Sequence, residues 1–245
     1  MQRYMPVFLG AALAFLLMTQ AAAAQDLSLS LGDDGSISAR TIQLFALITV
    51  LSLAPGIAIM VTCFPFLVTV LSILRQAIGL QQSPPNMLIV SLALFLTYFI
   101  MEPVFTAAWT NGIGPLTREE IDVEQAFLRT LEPFRVFMAA RLDPETFLAM
   151  AELRPDTIAA QPTPEAPLSV LVPSFMLSEI SRAFQIGFLI FLPFLIIDLV
   201  VAAILMSMGM MMVPPAVVSL PFKLAFFVVA DGWALIAGSL VRSYF

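Results

Sequence analysis

The most restrictive feature of this sequence is a pair of long apolar runs that carry charged residues. The stretch from Ala183 to Trp233 contains two such runs, joined by a short turn of methionine, glycine and proline. Each run can cross a hydrocarbon core, which needs about 20 residues. A charge at the centre of a bilayer costs about 3 kcal/mol, so a lone hairpin in lipid could not carry several of them. We therefore expect the charged groups in and beside these runs to pair, to line water or to be covered by other protein: Glu179, Arg182, Asp198, Lys223 and Asp231.

The composition indicates a membrane protein. Sixty per cent of the residues are hydrophobic and only 11% are charged, which lies outside the range of soluble proteins. The net charge of −6 argues against nucleic acid as a partner. The single cysteine, Cys63, cannot form a disulfide within the chain.

The residue types that are missing exclude several kinds of chemistry. The chain has no histidine, so it lacks an imidazole base, a histidine zinc ligand and the Ser-His and Cys-His nucleophile pairs. The only lysine, Lys223, follows Pro221 and Phe222 instead of a glycine-rich loop, so a P-loop is absent. We therefore expect a protein that is not an enzyme and that holds no metal or cofactor.

Residues 1–24 have the pattern of a signal peptide. Arg3 gives a positive start, residues 7–18 form a short apolar core, and residues 22–24 are alanines before Gln25. An uncleaved first membrane helix is the alternative, but the apolar core is short for a span. Cleavage would place the start of the mature chain on the periplasmic side.

A polar segment, residues 25–40, precedes a first apolar hairpin over residues 41–110. The first run of this hairpin, residues 41–74, would be about 50 Å long as one straight helix, well beyond a hydrocarbon core of about 30 Å. Proline interrupts it at Pro55 and Pro65, and proline inside a helix bends or breaks it. We therefore predict a bent or staggered helix here.

The region over residues 111–167 is predicted to be a small helical insertion on the periplasmic side. Two sequence patterns predict helix starts in it: a capping box from Thr117 to Glu120, and Asp143 followed by Pro144. A solvated loop is the alternative. The insertion is too small for a core of its own, so we expect it to pack on its neighbours, through apolar residues at helical spacing: Phe127, Leu131, Phe134 and Met138.

The second apolar hairpin covers residues 168–245. Its first run, residues 168–207, carries Glu179, Arg182 and Gln185 along one side. Asp198 points about 160° away from Arg182 at 100° per residue. This helix thus offers polar groups in two directions, which suits a subunit with protein neighbours on both sides.

Glu179 and Lys223 are the predicted intramembrane charge pair. An ionised group in an apolar helix needs a counter-charge, and the two residues lie on consecutive runs. The alternative is that each lies near an interface and reaches into water. The sequence leaves open whether the pair forms within one chain or between copies.

The turn of the second hairpin, residues 206–213, is rich in methionine. Methionine is unbranched and adapts to irregular partners, while Gly209 gives freedom and Pro214-Pro215 ends the turn. A methionine-rich helix end that faces lipid is the plain alternative to a functional loop. Five of the seven positions from 206 to 212 are methionine: Met206, Met208, Met210, Met211 and Met212.

Two other classes of protein also fit intramembrane charges. A small-solute or ion transporter is one, because such charges are its usual marker, but the sequence shows no inverted repeat. An intramembrane aspartyl protease with Asp198 and Asp231 as its dyad is the other. Asp231 lies in ADGW and lacks a Gly-x-Gly-Asp context, which argues against the protease.

Several segments resemble the FliP family of flagellar export-gate proteins. These are SEISRAFQIGF, LPFLIIDLVVA, MGMMMVPP, LPFKLAFFV and DGW, with LRQAIGLQQSPPN and LALFLTYFIM earlier in the chain. The resemblance covers nearly the whole chain and is weakest from Gly112 to Pro167. It implies an all-α membrane protein with four long, kinked apolar helices in two hairpins.

The resemblance also implies a function and partners. Copies of the chain, five by resemblance, would assemble with FliQ-like and FliR-like subunits into a helical pore in the bacterial inner membrane, within the flagellar basal body and beside other export-apparatus membrane proteins. The pore would pass unfolded flagellar proteins. A gasket formed by Met208, Met210, Met211 and Met212 would close it, and a hydrophobic constriction can gate by dewetting. The predicted signal peptide favours the flagellar branch over the virulence-secretion branch.

Overall fold

The computed structural model describes residues 37–79, 84–157, 160–210 and 212–245. The predicted signal peptide and most of the polar segment after it lie outside this part of the chain, as does Met211. All regular elements in the described ranges are helical. The described residues fall into two units, one up to Val50 and one from Leu51 to Phe245.

The first apolar run is broken, as its prolines predicted, but not at the first of them. Helix α1 (Ile37–Met60) continues through Pro55, and the break falls at residues 61–63, before α2 (Phe64–Ile78). Pro65 occupies the first turn of α2, where its missing N–H costs no hydrogen bond. Gly79 ends α2 in the left-handed conformation with φ of 88°, which is easiest for glycine.

The second run forms α3 (Asn86–Ala108), which continues through a π-helical turn (Trp109–Ile113) into α4 (Gly114–Thr117). These segments together make one candidate membrane span of 32 residues. Gly112 lies in the π turn against the backbone of residues 126–130, because a Cβ there would stand 2.8 Å from the Thr130 nitrogen and 2.9 Å from the Ala126 oxygen. The close crossing therefore requires glycine.

The insertion is helical, as predicted, and packs on its neighbours. It comprises α5 (Val123–Arg141) and α6 (Pro144–Glu152). Asp143 caps α6 as expected, and hydrogen bonds from the hydroxyl and amide of Thr146 lower the pKa of Asp143 below its usual value. The predicted Thr117–Glu120 capping box is wrong: Asp122 caps α5 by accepting from the Gln125 amide, because Thr117 lies at the end of α4.

The second hairpin contains one long helix and one broken helix. Helix α7 (Leu168–Ser207) runs for 40 residues, whereas α8 (Pro215–Val229) and α9 (Gly232–Arg242) meet at a bend of 61°. Asp231 lies at this bend in the left-handed conformation, with φ of 47°. The described residues thus contain three helices long enough to cross a membrane, or four if the bent pair counts as one span.

Helix α2 is the centre of the main core. It packs against α7, α3 and α8, and at Gly187 the backbone of α7 comes so close that a Cβ would stand 2.4 Å from the Ile73 Cδ1. A second core joins α5 and α6 to the start of α7 through Met138, Phe147, Leu171 and Phe175. The insertion therefore depends on the membrane-length helix α7 for its core, because it is too small to form one alone.

We expect Gly112→Ala to destabilise the protein by about 1–3 kcal/mol, since a forced methyl in a packed interface costs that much. The new methyl meets backbone atoms of α5, which cannot rotate away. Thermal unfolding of the detergent-purified protein measures the change. Gly56→Ala is the matched control, because nothing lies within 4 Å of that position. Equal stability of the two variants would contradict the close crossing.

Cys63 should not react with maleimide while the protein is folded. Its side chain is fully buried in the main core, beside the break between α1 and α2. Because the chain has one cysteine, labelling reports on this position alone. We expect full labelling in SDS and little in mild detergent, measured by intact mass; rapid labelling of the folded protein would show that the 61–63 break is open.

Candidate functional site

Glu179 on α7 is the centre of the first buried charge cluster. Its carboxylate is fully buried, and its Oε1 lies 3.1 Å from the Arg141 Nη2 and 3.5 Å from the Arg182 Nη1. The Tyr244 hydroxyl donates a hydrogen bond to the other oxygen, Oε2. The Arg141 Nε also donates a hydrogen bond to Oε1 over 3.2 Å. Two cations and two hydrogen bonds therefore compensate one buried carboxylate, as a charge in an apolar environment requires.

Arg141 connects this cluster to the end of the chain. Its guanidinium lies 3.9 Å from the centre of the Tyr244 ring, and its Nη1 donates to the Ser243 carbonyl over 2.8 Å. The same ring stacks on Phe137 and meets the edge of Phe66. The cluster thus joins α5 of the insertion, α7, α2 and the residues after α9.

Lys223 on α8 is the centre of the second buried cluster. Its Nζ lies 2.6 Å from the Asp198 Oδ2 and donates to the Ala77 carbonyl over 3.1 Å. Ser219 donates to the other oxygen of Asp198 over 2.5 Å. Ser219 and Lys223 are buried. Since Ala77 lies in the last turn of α2, the lysine also satisfies a carbonyl at a helix C-terminus, where a cation is favourable.

The predicted Glu179–Lys223 pair is not formed within the chain. Helices α7 and α8 run antiparallel from one turn, so residues at equal distances from that turn lie opposite each other. Glu179 is about 42 Å before the end of α7, whereas Lys223 is about 12 Å after the start of α8, at 1.5 Å per residue. Asp198, about 14 Å before the end of α7 on the same scale, is the carboxylate at the level of the lysine.

The other polar positions predicted from the sequence have different surroundings. Arg182 and Arg141 both form ion pairs with the Glu179 carboxylate. Gln185 is exposed on α7. Both oxygens of Asp198 are engaged, whereas Asp231 is exposed at the bend before α9. The carboxylate dyad of a protease is therefore not assembled. Within the described ranges, no group of three or more potential metal ligands occurs.

Three residues of these clusters were not predicted from the sequence: Arg141, Ser219 and Tyr244. Ser219 could have been found, because it lies one helical turn before Lys223 and so shares its face. Arg141 and Tyr244 gave no such signal, since both lie in other elements and reach Glu179 only through the packing of α5 and of the residues after α9.

The methionines of the turn are exposed, apart from Met211, which lies outside the described residues. Met206 and Met208 are more than half exposed, Met212 is 97% exposed, and Met210 is 37% exposed. Gly209 turns the backbone with φ of 75°, and nothing lies within 4 Å of a Cβ built there. The turn therefore presents flexible apolar side chains that the rest of the chain does not cover.

An apolar groove of about 410 Å³ lies between α7 and α8, near this turn. It is lined by aliphatic and aromatic side chains, among them Ile197, Val201, Val218 and Phe222. Among the described residues, the polar contacts between side chains of α7 and α8 are those of Asp198 with Ser219 and Lys223. The groove lies beside them and extends toward the turn as far as Leu205. The end of the hairpin is thus apolar both in its groove and at its tip.

Glu179→Gln should destabilise the protein by about 3–5 kcal/mol, the usual cost of breaking a buried ion pair. The substitution leaves Arg141, whose side chain is 14% exposed, without its charged partner. Thermal unfolding in detergent measures the loss. The matched control is Glu120→Gln, which removes an exposed ion pair with Arg118 and should change stability little. Similar melting of both variants would contradict the importance of the buried cluster.

Comparison with known proteins agrees with the sequence resemblance. The model of the FliP family matches residues 47–240. The chain is 50% identical to the flagellar biosynthetic protein FliP of Caulobacter vibrioides, over 96% of this chain and 88% of the relative. It is 52% identical to that of Agrobacterium fabrum, over 86% of each chain, and 46% identical to that of Bacillus subtilis, over 83% of this chain and 92% of the relative. The family match covers more than half of the chain, and the relatives are matched over most of their length, so the chain belongs to the FliP family.

Proposed function

We propose that this chain is a core subunit of the flagellar type III protein export gate, and that copies of it form a pore for unfolded flagellar proteins. The relatives named as flagellar biosynthetic proteins support the flagellar system, and the membrane-length helices support a place in the inner membrane. The observation that carries the pore proposal is the exposed methionine turn between α7 and α8.

The turn has the properties of a deformable gasket. Thioether side chains are flexible and apolar, so a ring of them can touch chains of varied composition. With no substrate present, such a ring is a hydrophobic constriction, which excludes water and ions by dewetting. Met208, Met210, Met211 and Met212 supply this ring in the proposed pore.

Exposed apolar surface on α7 supports assembly with other subunits. Phe184, Phe188 and Leu189 are each about 60% exposed, and Ile196 and Leu199 continue the same kind of surface. We propose that neighbours cover this surface: further copies of the chain, five in all, with FliQ-like and FliR-like subunits and other membrane proteins of the export apparatus. The buried ion pairs favour such a role, because each subunit neutralises most of its own intramembrane charge before it meets a neighbour.

One observation favours a second candidate, a small-solute or ion transporter subunit. A cavity of about 450 Å³ is lined by Arg75, Asp198 and Lys223, and charges beside a cavity are typical of transport sites. Uptake of labelled ions or small solutes into proteoliposomes of the purified protein separates the two. Specific, saturable uptake that persists when the methionine turn is altered supports the transporter.

Replacing Met210, Met211 and Met212 with alanine should open the resting pore to ions. Each replacement removes three heavy atoms, so a ring of several copies loses apolar contact at one level and water enters. The complex should still assemble, since Met212 is 97% exposed and Met210 is 37% exposed, and neither belongs to the two hydrophobic cores of the chain. Conductance of the purified complex in planar bilayers measures the leak.

Met87→Ala is the control for this experiment. Met87 is 80% exposed but lies at the start of α3, away from the turn in sequence, so its loss should not affect conductance. A triple-alanine complex that forms normally and stays as tight to ions as the parent would falsify the gasket.

A further inference from the structure

The cluster around Lys223 holds the hairpin at a fixed distance from the methionine turn. Asp198 lies nine residues before the end of α7, and Lys223 lies eight residues after the start of α8. The ion pair therefore closes the hairpin at about 12–14 Å from each helix end, at 1.5 Å per residue. The turn is carried on the two helix ends beyond this point.

The cluster also ties the hairpin to the rigid centre of the protein. Lys223 donates to the Ala77 carbonyl in the last turn of α2, and α2 is the helix with the most buried side chains in the main core. Leu220 and Lys223 also lie at contact distance from the position of a Cβ built on Gly79. One side chain thus joins three helices at the base of the turn.

Few polar contacts join the ends of α7 and α8, so the contacts of Asp198 and Lys223 largely set the position of the turn. Among the described residues, the hydrogen bonds and ion pairs between side chains of α7 and α8 are those of Asp198 with Ser219 and Lys223. The apolar groove between the same helices begins beside Asp198, at Ile197, and continues toward the turn as far as Leu205. Apolar contacts allow sliding and small rotations, whereas a hydrogen-bonded ion pair fixes direction and distance.

We propose that Asp198, Ser219 and Lys223 form a clamp that positions the methionine turn. The three residues are positioning residues: they do not touch a passing chain, and they set the height and tilt at which the methionines project. This inference rests on the gating role proposed above, because a fixed turn matters where several copies must close one opening.

The clamp can be tested by measuring how widely the turn moves. Cys63→Ala removes the only cysteine, and Met212→Cys with Phe188→Cys then places spin labels on the turn and on the exposed side of α7. A second pair, Phe188→Cys with Leu235→Cys, reports on the body of the protein, since Leu235 on α9 is exposed. Electron paramagnetic resonance gives the distance distribution of each pair in the purified full-length chain in detergent, before neighbours cover residue 188.

Asp198→Asn should broaden the 188–212 distribution about twofold, as expected for a segment released to local motion, while the 188–235 distribution stays as in the parent. Ser219→Ala should give a smaller broadening, and Asp198→Glu, which keeps the carboxylate, should stay close to the parent. Asp231→Asn is the matched control, because Asp231 is exposed at the bend before α9 and asparagine also tolerates its left-handed backbone.

Three outcomes would overturn the clamp: an unchanged 188–212 distribution in Asp198→Asn, equal broadening of both pairs, or equal effects of Asp198→Asn and Asp231→Asn. If Asp198→Asn does not yield folded protein, Ser219→Ala decides by the same criteria. The distances are measured without substrate or current. If Asp198→Asn broadens the 188–212 distribution but the triple-alanine complex does not leak ions, only the gasket is rejected. If the triple-alanine complex leaks but the distribution does not change, only the clamp is rejected.

Discussion

The cost of placing charge in an apolar helix shapes this protein more than any other interaction. Helix α7 carries three charged residues, Glu179, Arg182 and Asp198, within 40 mostly apolar residues. Each carboxylate receives a cation and a hydroxyl: Arg141 and Tyr244 at Glu179, Lys223 and Ser219 at Asp198. These contacts fix where α5, α8 and the residues after α9 can lie, because leaving the buried charge of Glu179 or Lys223 unpaired would cost about 3–5 kcal/mol.

Apolar packing between the helices adds stability that the ion pairs alone do not provide. Helix α2 is short but almost wholly buried on one side, and it lies against α3, α7 and α8. Glycine permits the closest approaches, at Gly187 against Ile73 and at Gly112 against the backbone of α5. Small residues are the usual means by which membrane helices approach closely, since lipid offers no hydrophobic drive between them.

The second hairpin has a base that is held by polar contacts and a flexible, apolar tip. The contacts of Lys223 are polar, short and directional, whereas the groove beside them and the methionines of the turn offer apolar surface. An apolar, flexible tip on a rigid base suits a part that must close against chains of varied shape. It also explains why the turn is exposed within one chain: its partners in the proposed pore are other copies.

The sequence by itself determined the class of the protein and the positions of most helices. Apolar runs longer than 20 residues indicated membrane helices, and the segments around the methionine turn identified the family. Proline and aspartate signals also indicated a break in the first run and the start of α6, because these effects act over a few residues. They did not place the break at residues 61–63 instead of Pro55, nor predict the bend at Asp231. A proline does not always end a helix, since α1 continues through Pro55 and α7 through Pro173 and Pro193.

Only the tertiary structure decided which charges meet. The residue types showed that Glu179 and Lys223 each needed a partner, and the sequence predicted that they pair with each other. Partner choice depends on the distance of each residue from the hairpin turn and on the elements that pack alongside. The antiparallel hairpin brings Asp198 level with Lys223, and α5 brings Arg141 to Glu179 from 38 residues away. Such contacts depend on how whole helices pack, and no short stretch of sequence contains that information.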